Sequence, residues 1–151
     1  VGNKDQDAIA KAFQLAEAAR NNSYSPYSKF KVGACIKTKN NAFFQGSNVE
    51  NASFGATRCA EQTAIMNMIS SVGTQKIDFI LITTTPASVP CAICRQVMSE
   101  FFEEDTKILM TDPNQFNATN TVSQIYTLKD LLQIPFNKQE LSRIFKENQE
   151  T

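Results

Sequence analysis

The sequence predicts an α/β domain with three layers, α/β/α, built around a mixed five-stranded sheet. Three observations carry that expectation. Helix-like and strand-like apolar patterns alternate along most of the 151 residues. The first two strand-like segments are joined by a short polar turn, which makes them a hairpin. The third is a nearly unbroken apolar run, suited to a strand buried on both faces. No repeat, low-complexity tract or linker divides the chain, so residues 1–151 are expected to form a single domain with one core.

Each element has a local reason. From about Lys4 to Asn21, the apolar residues Ile9, Ala12, Phe13, Ala16 and Ala19 fall at helical spacing. Tyr24-Ser25-Pro26-Tyr27 ends that pattern. Phe30, Val32, Ala34 and Ile36 then alternate with Lys31, Gly33, Cys35 and Lys37, which reads as a strand. Lys39-Asn40-Asn41 is a turn, and residues 42–48 form the returning strand. Residues 51–57 read as a loop, followed by a helix over 59–71. Ile77, Phe79, Ile80, Leu81 and Ile82 mark the buried strand within 76–85. A helix entered through Pro90 spans 91–102, and strands follow at 107–111 and near 122–126. Short helices are expected at 128–132 and 139–147, the second with an apolar stripe of Leu141, Ile144 and Phe145.

Composition narrows the function. Fifteen basic and fifteen acidic side chains cancel and no Lys/Arg run occurs, which argues against a nucleic-acid partner. No stretch approaches the length of a membrane span. The opening residues Val1 to Asp5 lack the apolar core of a secretory signal, and a C-x-x-C pair in such a chain points to metal or redox chemistry in a reducing cytoplasm.

The chemistry concentrates in Cys59-Ala60-Glu61 and Pro90-Cys91-Ala92-Ile93-Cys94, in a chain without histidine. Three thiolates hold a zinc ion while leaving its tetrahedron one ligand short, the mark of a catalytic rather than a structural zinc. Both helices are expected to begin at their cysteines, where the positive end of the helix dipole favours thiolate. Cys91 and Cys94 share one helical face. Cys59 and Glu61 are two residues apart and point in different directions within a helix, so both reach one site only if Cys59 sits at the very tip. C-x-E followed by P-C-x-x-C is the pattern of the zinc deaminases, in which the carboxylate moves protons. Cys35 is expected to be a buried structural thiol rather than a fourth ligand.

Beyond these motifs, Tyr24 to Ala34 (YSPYSKFKVGA), Asn48 to Gly55 (NVENASFG) and Leu131 to Phe136 (LLQIPF) resemble the small zinc-dependent cytidine deaminases of the homotetrameric, three-cysteine type. The resemblance runs from about Lys11 to Phe136. It implies that family's fold and hydrolytic deamination of cytidine and deoxycytidine, in pyrimidine salvage. It implies one zinc per chain on Cys59, Cys91 and Cys94, with Glu61 shuttling protons from a zinc-activated water. The Ala60 N–H would hold the pyrimidine O2, Asn48 and Glu50 the ribose hydroxyls, and Phe30 would line the pocket. Phe136 would pack on the base from a neighbouring subunit, and Ala52, Phe54 and Gly55 would approach the sugar from another, in a homotetramer with shared sites. Glu50 would also repel a phosphate, favouring free nucleosides.

Three positions depart from the family's pattern: Gln62 replaces the usual Arg, Ala92 the usual Gly, and Phe54 the common Tyr. Because three thiolates make the centre anionic, Arg58 or Arg95 is expected to lie over them in compensation. Rival readings at this level are a deaminase of another cytosine-bearing substrate, a zinc module closed by Cys35, and a C-x-x-C redox protein.

Overall fold

The computed structural model describes residues 3–88, 90–115, 122, 124–132 and 138–149. A mixed five-stranded sheet runs β2-β1-β3-β4-β5, formed by β1 (Gly33–Thr38), β2 (Phe43–Ser47), β3 (Ile77–Thr83), β4 (Lys107–Thr111) and β5 (Gln124–Thr127). β1 pairs antiparallel with both β2 and β3, β3 runs parallel to β4, and β5 returns antiparallel along β4. Helix α1 (Asn3–Asn21) covers one face, and α2 (Ala60–Val72) and α3 (Ala92–Phe101) cover the other. The short α4 (Leu128–Leu131) follows β5 directly, and α5 (Lys138–Gln149) is the last described helix. The α/β/α expectation is met.

The central strands carry apolar residues on both faces because both faces are covered. Ala34, Ile36, Ile80, Ile82, Ile108 and Met110 pack under α2 and α3. Cys35, Phe79, Leu81 and Leu109 alternate with them and pack under α1. Fully burying one such side chain contributes about 1.5–3 kcal/mol. The α1 face needs a close approach: a side chain at Gly33 would come 1.9 Å from the Ala16 carbonyl oxygen.

The hairpin forms at the expected turn. Thr38 N donates to the Ala42 carbonyl at 2.9 Å and Asn41 takes a positive φ of 66°. The first strand, however, starts at Gly33 rather than Phe30. Over residues 30–32 the side chain of Asn48 stands in for a neighbouring strand. Its Nδ2 donates to the Phe30 carbonyl at 2.7 Å, and its Oδ1 accepts from Val32 N at 3.0 Å. Leu141 on α5 is 41 % exposed, whereas the side chain of Phe145 and all of Phe136 lie outside the described residues. Among the described residues, no helix is long and apolar enough to cross a membrane.

Candidate active site

The start of α2 is fixed by its neighbours. Arg58 is held extended by paired backbone bonds with Val49, N to O at 3.0 Å and O to N at 2.9 Å. The helix therefore begins one residue later, with Cys59 in β conformation as its N-cap. Beneath it, a side chain at Gly46 on β2 would come 2.3 Å from the Ala64 nitrogen and 2.7 Å from the Ala60 carbonyl oxygen. Only glycine lets the first turn of α2 settle that close to the sheet.

α3 starts in the same way. Pro90 precedes Cys91, the N-cap, whose sulfur accepts from the Cys94 backbone N–H at 3.4 Å. Arg95 braces this tip, donating from Nε to the Pro90 carbonyl at 2.8 Å and from Nη1 to the Leu131 carbonyl at 3.0 Å.

The two tips meet. The sulfurs of Cys59, Cys91 and Cys94 all lie within 4.8 Å of one another, with Cys59–Cys91 at 3.8 Å and Cys91–Cys94 at 3.1 Å. A tetrahedral site with Zn–S bonds of about 2.3 Å has sulfur–sulfur edges of about 3.8 Å, so the trio fits zinc. Cys59 sits at the tip as the spacing requires, and Glu61 reaches the same place, its Oε2 accepting from Cys94 Sγ at 3.2 Å. Glu61 is 5 % exposed, and burial holds its carboxyl above the usual range. The neighbouring Cys94 thiol does most to lower Cys59, to about 7, while Cys94 itself is raised, chiefly by its interaction with Cys59.

Cys35 is not a fourth ligand. It is fully buried on the α1 face, with its sulfur 3.7 Å from the Ile36 carbonyl oxygen. Among the described residues, the hydrogen bonds of the two candidate arginines go to backbone carbonyls rather than to sulfur, although the Arg58 charge favours the Cys59 thiolate. Arg58 Nη1 donates to the carbonyls of Gly55 at 3.0 Å and Thr57 at 2.9 Å, and its charge is the weakest of the influences favouring the Cys59 thiolate. Arg95 is spent on the two carbonyls that brace α3. The donor to sulfur is Gln62, whose Nε2 reaches Cys94 Sγ at 3.6 Å.

These groups line a cleft of about 250 Å³ together with Phe30, Val32 and Ile82. Asn48 and Glu50 stand elsewhere on the same lining, and Ala60 lies beside the thiols. Asn48 is largely committed already: its Oδ1 accepts from both Val32 N and the Ser23 hydroxyl, and one Nδ2 proton serves Phe30. One N–H is left to offer. Glu50 uses Oε1 to accept from the N–H groups of Tyr27 and Ser28, each at 3.1 Å. The Ser28 hydroxyl does most to hold its carboxyl below the ordinary range. Ala52, Phe54 and Gly55 are not brought into the cleft of their own chain; Phe54 is 81 % exposed. Sequence reasoning missed Thr84, Thr57 and Ser88 on the lining, since hydroxyl residues at strand ends and loops give no distinguishing pattern.

Residues 5–110 match the family described as "Cytidine and deoxycytidylate deaminase zinc-binding region". The chain belongs to the zinc-dependent cytidine deaminase family. Among its relatives, the cytidine deaminase of Mycoplasma pneumoniae is 41 % identical over 108 residues, 70 % of this chain and 80 % of that one. That of Sporosarcina psychrophila is 32 % identical over 135 residues, covering 89 % and 95 %. The crystal structure of cytidine deaminase from Burkholderia pseudomallei superposes with a TM-score of 0.74 at 33 % identity, covering 84 % of this chain and 98 % of that one. The three-cysteine centre and the α/β/α sandwich therefore belong to a deaminase, which sets aside the redox reading of its C-x-x-C pair.

Proposed function

We propose that this deaminase converts cytidine and deoxycytidine to uridine and deoxyuridine, with zinc on Cys59, Cys91 and Cys94 and Glu61 as the proton carrier. The observation that carries the reading is the contact between Glu61 and Cys94 in a cleft that Asn48 and Glu50 also line. Bound by three thiolates, zinc supplies the Lewis acidity that makes water nucleophilic near neutral pH.

The remaining work falls to the chain. Glu61, whose carboxyl burial raises above the usual range, is suited to take up and return a proton. It takes one from the attacking water and delivers it to N3 of the pyrimidine, which makes C4 electrophilic. It then takes the remaining proton from the new C4 hydroxyl and hands it to the amine nitrogen, so that ammonia departs as the C4 carbonyl forms. The Ala60 N–H, in the first turn of α2 where helices leave donors unpaired, holds the pyrimidine O2. Phe30, Val32 and Ile82 exclude water from the base.

At the sugar, the spare Nδ2–H of Asn48 donates to one hydroxyl and the second oxygen of Glu50 accepts from another. The Glu50 charge disfavours a phosphate, which sets free nucleosides above nucleotides and nucleic acid. Exposed Tyr24, Tyr27, Val49 and Phe54 support a homotetramer in which Ala52, Phe54, Gly55 and Phe136 complete the sites of neighbouring subunits. Residues 1–151 act as one domain, in a cytoplasmic salvage role suited to free thiols.

The test is ultraviolet detection of cytidine loss alongside metal content per chain. Turnover with one zinc per chain is expected. Absence of turnover on cytidine and deoxycytidine, or zinc retained after Cys59→Ala and Cys91→Ala together, overturns the reading.

A further inference from the structure

Asn48 and Glu50 are held from the end of α1. Ser23 N donates to the Arg20 carbonyl at 3.0 Å, which ties residue 23 to the last turn of that helix. The next residue pairs along residues 48–50: Tyr24 N donates to the Asn48 carbonyl at 3.2 Å, and Glu50 N to the Tyr24 carbonyl at 2.8 Å. Ser23 is thereby set against Asn48. Its hydroxyl donates to Asn48 Oδ1 and also lies 3.2 Å from the Asn48 backbone carbonyl oxygen. A hydroxyl has one proton to give, and Oδ1 is the nearer acceptor.

That bond decides what Asn48 can offer. Of the two lone pairs on Oδ1, Val32 N takes one at 3.0 Å and Ser23 fills the other. Of the two protons on Nδ2, one serves the Phe30 carbonyl at 2.7 Å. Asn48 is 8 % exposed and lines the cleft, so it meets a ligand as a donor only, through the remaining N–H. Phe30 and Val32 belong to one stretch of chain, and two bonds to one stretch leave the amide able to swing about the line between them. Ser23 comes from a different element and stops that swing. A second donor on the amide oxygen also polarises the group, which strengthens its N–H as a donor.

We propose that Ser23 is a positioning residue for sugar recognition: through Asn48 Oδ1 it fixes the amide so that the one free N–H meets a hydroxyl of the nucleoside. This rests on the deaminase reading above, in which Asn48 donates to one sugar hydroxyl. Without the Ser23 hydroxyl, an Oδ1 lone pair opens and the amide meets the sugar with mixed polarity.

The experiment compares wild type, Ser23→Ala and Ser23→Thr, zinc-loaded, on cytidine and on 2′,3′-dideoxycytidine, which lacks both vicinal hydroxyls. It measures kcat, KM, zinc content and melting temperature. Because both substrates are assayed on one preparation, any loss of folded or metal-loaded enzyme cancels in the ratio of their kcat/KM values. Ser23→Ala should raise KM for cytidine about 3–10-fold with kcat within about twofold, and lower the cytidine-to-dideoxycytidine ratio by about the same factor. Ser23→Thr, which keeps the hydroxyl, should hold the ratio within about twofold of wild type. An unchanged ratio in Ser23→Ala overturns the proposal, because the hydroxyl would then only brace the end of α1 against the Asn48 backbone. So does a loss on cytidine confined to kcat. If Ser23→Ala yields no active protein, Ser23→Cys, similar in size but a weak donor, is judged by the same ratio. Failure of the wild type on cytidine sinks the deaminase reading itself and is distinguished by that control.

Discussion

The amide of Gln62 donates to the sulfur of Cys94 at 3.6 Å, and the same sulfur contacts Glu61 Oε2 at 3.2 Å. One helix, α2, therefore supplies both a neutral donor to the thiol and the carboxylate that works beside it. Groups that orient metal ligands in this way typically account for 10–100-fold in metal affinity or activity.

Replacing Gln62 by Leu should thus weaken zinc retention by about tenfold, read by competition with a chromogenic chelator. Arg58→Gln should change it less, since its guanidinium is bonded to backbone carbonyls. A larger loss in Arg58→Gln than in Gln62→Leu would show that charge, not the amide, steadies the sulfurs.

Glu61→Gln should leave zinc content intact and reduce kcat by about 10²–10⁴-fold, the usual contribution of general acid–base catalysis. Stoichiometric zinc with near-normal turnover would remove Glu61 from proton transfer.

Gly46→Ala places a methyl group 2.3 Å from the Ala64 nitrogen. Backbone has to move, at a cost of about 1–3 kcal/mol in urea unfolding. Because the displaced turn carries Cys59 and Glu61, kcat should fall along with stability. A variant that is destabilised yet fully active would uncouple the packing of α2 from the chemistry.

Glu50 gives a pH dependence. Its folded pKa is lowered from the model-compound value by the Ser28 hydroxyl and the Tyr27 and Ser28 amides, so its contribution is complete above the unfolded pKa. That contribution disappears as pH falls through the lower folded value. Urea midpoints of wild type and Glu50→Gln should differ near neutrality and converge in acid, below the ordinary carboxylate range. A gap that widens in acid would reverse the sign and reject the account.

Cys35 has its thiol pKa pushed up to about 12, mainly by burial, and is fully enclosed beneath α1. It should resist iodoacetamide in the native protein at about pH 8, whereas the exposed Cys91 should be alkylated once zinc is chelated. Peptide mass spectrometry reads both. Rapid labelling of Cys35 in folded protein would mean that the α1 layer opens easily.

Much of this was readable in the residues. Alternation at Ala34–Ile36 and the apolar run at Ile77–Ile82 specify strands through local pattern alone. The tip position of Cys59 also followed from spacing, since only a helix cap lets residues two apart converge. Phe30–Val32 misled because the group that satisfies their backbone is a side chain 16 to 18 residues away, which no local period records. The choice of Gln62 over Arg58 and Arg95 depends on how α2 and α3 approach each other, and long cationic side chains have many carbonyls to choose from. Ser23 escaped notice because a serine after a helix looks the same whichever group its hydroxyl bonds.

The wiring of Asn48 has a practical consequence for redesign. Since its oxygen already fastens Val32 and Ser23 and one proton fastens Phe30, any substitution at position 48 also unfastens the cleft wall formed by Phe30 and Val32. Glu50 is tied in as well, through Oε1 to Tyr27 and Ser28, so a replacement there that keeps one acceptor oxygen, as Gln does, disturbs the chamber least.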